Sequence, residues 1–398
     1  MGAAAVTVAA IGVGGPLRLQ FGAAAPTALP LGVTATSAAG TSAPSSTTSS
    51  AAAARATSLP TIAPAPPTTA PPPAPRPATV TTVRRQPTHR APAPKGTTHT
   101  GAGGGPGARV VPPHIMVVMM ENESQGNLIG NPSAPNVNAL AATYGIDSAS
   151  YAVSHPSLPN YLEMLAGSTY GVTDDGAPSS EHIPAGAQTL VNELVTAGIP
   201  WRGYMESMPS DGYEGGDTTC CGGRYYEHHD PFVYFPAVTS LPSFSSDVVP
   251  CTALMGDLAG PNAPDFVWVT PNGTDDMHDG STGANGEVDP AVGDAWLGSF
   301  VSQVQSTPWY AAGGRIVVEW DEGADADTTG LGSAGAGGGG QIVTLVLSAA
   351  LRAHPQHDST PVNTAGILRS IEQAYGVPFL GDAAQAGNGD IDSLLDAG

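Results

Sequence analysis

Four short apolar runs constrain what this chain can fold into: Ile115–Met120, Phe266–Val269, Arg315–Trp320 and Gln341–Leu347. Each is too short for a helix with a buried stripe. Each is also too evenly apolar for a strand with one wet face, so each reads as a strand covered on both sides. Trp201–Met205 reads as a further short strand. Helical patterns lie between the runs, at Val137–Tyr144 (closed by Gly145), just after Ser157, at Ala187–Ala197, Asp294–Gln305 and Ala365–Tyr375. Strands alternating with helices predict an α/β fold: a largely parallel central sheet with helices on both faces. In such sheets ligands gather beyond the carboxyl ends of the strands. Three of the runs hand over to polar residues there, namely Glu121-Asn122, Asn272 through His278, and Asp321-Glu322.

Composition divides the 398 residues. Residues 1–110 hold no Asp or Glu and eight of the 13 basic residues. Residues 111–398 hold all 34 acidic residues against five arginines, a net of −29, and no Lys. Residues 1–34 read as a degenerate signal or leader: mildly apolar, without a basic start, with Gly22-Ala23-Ala24-Ala25 as a small-residue cleavage site. Residues 35–110 are Ala/Thr/Pro-rich and read as a disordered linker, a spacer suited to a cell-wall stalk. Residues 111–398 then form one globular domain, large enough for its own core. Together these features point to a secreted or cell-surface protein. No stretch is long and apolar enough to span a membrane. So acidic a body excludes nucleic acid as the main partner but not a phosphate substrate, since a bound cation reverses the local field.

Cys220, Cys221 and Cys251 cluster in a long insertion over 206–250 and its exit. Their odd number and the lack of paired Cys-x-x-Cys spacing favour a disulfide between Cys251 and one of the adjacent pair over a zinc site.

The chemistry centres on Ser154-His155-Pro156-Ser157-Leu158-Pro159-Asn160-Tyr161. Pro159 suits the first turn of a helix, which puts Ser157 at a helix N-terminus, where free N–H groups favour an anion. A serine there is often only a cap. Asp321 and Glu322 are adjacent carboxylates that raise each other's pKa unless a cation neutralises them. Glu121 and Asn122 add two oxygen ligands, a set that suits Mg²⁺, Mn²⁺ or Ca²⁺, or Zn²⁺ if a histidine joins. His278 can protonate a leaving group or bind a second metal. Asn272-Gly273-Thr274 fits the N-glycosylation pattern, taken here as chance.

These residues resemble a known family. Met119-Met120-Glu121-Asn122-x-Ser124, His155-Pro156-Ser157-Leu158-Pro159-Asn160-Tyr161, His229-x-Pro231-Phe232, Pro271-Asn272 through Asp276-x-His278-Asp279-Gly280, and Trp320-Asp321-Glu322-Gly323 occur in the order seen in the bacterial phosphoesterases. That family includes acid phosphatases and phospholipase C enzymes and is similar to the alkaline phosphatase superfamily. The shorter acid-phosphatase branch fits better. The resemblance implies an alkaline-phosphatase-like fold and Ser157 as nucleophile, passing through a phosphoserine. It implies Glu121, Asn122, Asp321 and Glu322 as metal ligands. Asn160, His155, His229, His278 and Asn272 are the candidates for phosphate contact or proton transfer. Thr364 stands where relatives often carry a histidine, so one tightly held divalent ion is expected rather than two. The expected activity is that of an exported phosphomonoesterase acting on a small phosphorylated substrate. A phosphodiesterase or phospholipase C type hydrolase, and a non-catalytic stalked binding protein, are the alternatives.

Overall fold

β1 (Ile115–Met120) has no side chain exposed to solvent because it lies in the interior of a nine-stranded sheet. The computed structural model describes residues 112–280, 288–324, 326–330 and 338–397. The expected leader, the expected linker and most of the Gly-rich loop 330–340 lie outside them. Following β1 come α1 (Pro135–Thr143), β2 (Gly145–Tyr151), α2 (Ser157–Ala166), α3 (Leu190–Ala197) and β3 (Trp201–Met205). A small hairpin follows, β4 (Thr218–Cys220) and β5 (Gly223–Tyr225), then β6 (Val248–Pro250) and β7 (Phe266–Thr270). The chain continues through α4 (Ala291–Gln305), β8 (Arg315–Trp320), β9 (Gln341–Leu347), β10 (Gln356–Asp358), β11 (Val362–Asn363) and α5 (Thr364–Tyr375).

The sheet runs β10-β2-β9-β8-β1-β7-β3-β6, with β11 also on β2, and every pairing is parallel except the two made by β9. β9 runs against its neighbours because it follows β8 directly and starts from the end where β8 stops. The carboxyl ends of the parallel strands therefore share one edge with the start of β9. The α/β reading holds. Two details differ. Gly145 opens a strand rather than closing a helix, and the insertion over 206–250 contributes an edge strand and a hairpin.

The cysteine pairing also differs from expectation. Cys220 and Cys221, at the tip of the β4–β5 hairpin, are joined to each other, and Cys251 is a thiol. Cys251 opens a 3-10 turn after β6 and packs against the core near Glu206; burial, with the Glu206 charge behind it, pushes its pKa well up. With Cys220 and Cys221 paired to each other, Cys251 is left unbridged.

Candidate active site

Register brings two of the ligand candidates, Glu121 and Asp321, together with Asp276. Met120 pairs with Trp320, Asp321 N–H donates to the Met120 carbonyl at 2.9 Å, and Glu121 N–H donates to the Asp276 carbonyl at 2.9 Å. Glu121, Asp276 and Asp321 are thereby set side by side at the sheet edge. Asn122 completes the turn with φ of 52°, a left-handed conformation that asparagine tolerates better than most residues. Its N–H donates to Asp321 Oδ1 at 3.1 Å.

α2 meets this cluster end-on. Ser157 Oγ donates to Glu121 Oε2 at 3.2 Å, and Tyr161, one helical turn on, donates its phenol to Glu121 Oε1. Both are buried. The loop before the helix, with a cis bond between His155 and Pro156, is braced by Asn160. Asn160 Oδ1 accepts the N–H groups of Val153 and Ser154 at 3.0 and 3.1 Å, and its Nδ2 donates to the Ser154 and Pro156 carbonyls at 2.9 and 3.3 Å. Asn160 therefore shapes the turn instead of facing the cleft, a different place from the substrate contact expected of it. Asn272 is likewise turned inward. It donates to Asp275 Oδ2 at 2.8 Å and accepts Thr274 N–H at 3.0 Å.

Histidines close the other sides. His155 donates from Nδ1 to Glu322 Oε2 and from Nε2 to the Asp327 carbonyl, both at 2.8 Å, so neither nitrogen is left for substrate. The Glu322 hydrogen bond raises His155 to about 9. His229 is buried, stacked on Tyr161 with ring centroids 5.4 Å apart, and stands 3.4 Å from both Glu121 Oε1 and Asp276 Oδ2. Burial, then the neighbouring His228 and His278, lower its pKa well below the ordinary imidazole value. His228, His229 and His278 bring ligand atoms within 4.8 Å of one another, a grouping that could hold a metal ion.

The electrostatics ask for a cation. Glu121, Asp276, Asp321 and Glu322 are all buried and crowded. Burial first, then the charges of Asp321 and Asp276, push Glu121 well above the ordinary carboxylate range. Burial raises Asp321 to about 6; burial and then Asp321 raise Glu322 to about 8 against the pull of His155. Asp321 Oδ2, Asp276 Oδ2 and His229 Nε2 are buried without a hydrogen bond. The Asn122 amide end lies 3.2 Å from Glu121 Oε2 and 3.1 Å from Glu322 Oε1. Such convergence of oxygens fits a divalent ion. Asp276, His228 and Tyr161 were missed from sequence as site residues. Tyr161 was the one with a signal, four residues after a helix-start serine.

Solved structures similar to this chain include a protein in the alkaline phosphatase superfamily from Vibrio parahaemolyticus, at 12% identity and TM-score 0.44 over 69% of this chain and 70% of that one. Phosphatidylinositol-3-phosphatase of Mycobacterium tuberculosis is 34% identical over 275 residues, covering 69% of this chain and 80% of the relative. The phosphate-repressible acid phosphatase of Penicillium chrysogenum is 27% identical over 58% of this chain. An acid phosphatase of Aspergillus fumigatus is 25% identical over the same share. The chain spans about half the length of these fungal relatives, 52% and 48%. Residues 131–378 match the model of the Phosphoesterase family, so this chain belongs to that family and is a hydrolase of phosphate esters.

Proposed function

We propose that the chain is an exported, metal-dependent phosphomonoesterase in which Ser157 attacks phosphorus and carries the phosphoryl group as phosphoserine. The observation that carries this reading is the Ser157 hydroxyl, at the N-terminal end of α2, 3.2 Å from Glu121 Oε2 among four buried carboxylates. A divalent cation held by Glu121, Asn122, Asp321 and Glu322 would supply Lewis-acid stabilisation and an easier ionisation of the hydroxyl. The nearest acceptor for the hydroxyl proton is Glu121 Oε2. The end of α2 and the imidazole of His229 face the charge that builds on the equatorial oxygens. As the ester bond breaks, His278, the more exposed of the two, gives the leaving alkoxide its proton. A water then attacks the phosphoserine from the vacated side, giving up its proton to the same imidazole, while Glu121 returns its proton to the departing Ser157 oxygen and phosphate is released.

One ion is expected, with the three histidines left for the phosphate. The name of the mycobacterial relative puts phosphorylated inositols in the substrate panel beside aryl, nucleoside and sugar phosphates. Export and a wall-spanning stalk rest on the composition of residues 1–110.

Ser157→Ala is expected to lower kcat on an aryl phosphate by about 10³-fold or more with the circular-dichroism spectrum unchanged. Turnover at the wild-type rate would remove Ser157 from its role. Exhaustive chelation is expected to abolish activity, and one equivalent of divalent metal, counted by elemental analysis, to restore it. An enzyme indifferent to chelation would break the ligand assignment.

A further inference from the structure

The N-terminal end of α2 is not bare. Its N-cap, Pro156, offers no side-chain hydrogen bond, and Pro159 has no N–H, so the donors beside the Ser157 hydroxyl are few. One of them, the Leu158 N–H, donates to Asp175 Oδ1 at 2.9 Å. Asp175 comes from the loop between α2 and α3 and is exposed at the mouth of the site. That loop is pinned nearby, where Tyr234 donates its phenol to the Gly176 carbonyl at 2.9 Å and Gly176 N–H donates to Asp174 Oδ1 at 2.9 Å. Asp175 lies close enough to His228 and to Glu322 for its charge to act on both. Among the described residues no ion pair neutralises it.

A phosphoryl group on Ser157 Oγ carries its equatorial oxygens close to the N–H of the following residue. That N–H is a donor an anion would use, strengthened by the helix dipole. A carboxylate is already there. The Leu158 N–H directly follows Ser157, whose hydroxyl meets Glu121, and the buried His229 Nε2, which has no hydrogen bond, stands 3.4 Å from the same carboxylate; this makes the N–H the anion seat of the site and not an ordinary helix cap.

We propose that Asp175 is a stand-in for phosphate: in the resting enzyme its carboxylate holds the Leu158 N–H, and each incoming or departing phosphate exchanges places with it. The proposal rests on Ser157 marking the phosphate position. Asp175 is then a residue that weakens the binding of substrate and product alike, and it sets how readily free phosphate inhibits the enzyme.

The test uses the full-length, metal-loaded enzyme with an aryl phosphate as substrate and inorganic phosphate as competitive inhibitor. Asp175→Ala frees the N–H, and both KM and the phosphate inhibition constant are expected to fall about three- to tenfold, with kcat changed less than about twofold. Asp175→Asn keeps an acceptor for Leu158 without the charge, guards against loss of the loop, and is expected to fall between wild type and Asp175→Ala. Unchanged constants in both variants would make Asp175 a simple cap and overturn the proposal. A rise in both constants, or loss of bound metal, would make it a ligand of substrate or cation and overturn it as well. Ser157→Ala, run alongside, separates the two readings. If it turns over normally while Asp175→Ala tightens phosphate, the nucleophile is wrong and the stand-in survives.

Discussion

Ser157 and Tyr161 divide one carboxylate between them, the hydroxyl taking Glu121 Oε2 and the phenol Oε1. Tyr161 is fully buried, and burial followed by the Glu121 charge holds its phenol protonated far past the ordinary range. It therefore serves as a fixed donor that aims Glu121. Tyr161→Phe keeps the ring stacked on His229 but removes that aim. Metal affinity or kcat is expected to drop about 10- to 100-fold, read by metal titration beside steady-state kinetics. Full affinity and full kcat would show that Glu121 needs no help. At this scale the sequence was most readable where a residue directly follows a strand or begins a helix. Glu121, Asn122, Asp321, Glu322 and Ser157 are all of that kind, and all converge. Asp276 was not readable because its inward aim depends on the turn at Met277, whose φ is 87°. His228 depends on how the insertion folds back.

Along α2 the face away from the active site carries a second set of buried acids. Glu163 on α2 and Glu372 on α5 are buried, and burial raises each to about 8 from an ordinary 4.5. Between those values the folded protein binds more protons than the unfolded chain. Their contribution to stability is therefore complete below about 4.5 and lost as pH rises through about 8. Glu163→Gln is expected to flatten this slope, gaining on the order of 1–3 kcal/mol over wild type at pH 8 and little at pH 4.5, measured by urea unfolding. Equal effects at both values would mean Glu163 is ionised in the fold. The same helix ends at Gly167, with φ of 63° and a position where a Cβ would come within 2.3 Å of the Leu380 carbonyl oxygen. Gly167→Ala should cost about 2–4 kcal/mol in the same unfolding experiment. Element types were legible where apolar runs or capped helical patterns were long. β2 was not, since Gly145-Ile146-Asp147-Ser148-Ala149-Ser150-Tyr151 has few apolar residues and a break in register between Asp147 and Ser150.

For the whole molecule, every residue assigned to the site lies between Glu121 and Glu322. A protein beginning at residue 111 is thus expected to keep kcat/KM on an aryl phosphate within about twofold of the full chain. A large loss would give the first 110 residues a part in the chemistry. Among the described residues no helix is long and apolar enough to cross a membrane. The order of strands could not be read from sequence, because strand runs alone do not say which neighbours they take or that β9 runs backwards. The pairing of β1 between β7 and β8 has a further consequence. Side chains alternate across a sheet, so adding or deleting a single amino acid within Ile115–Met120 would swing Glu121 through to the opposite side and dismantle the oxygen cluster at a stroke.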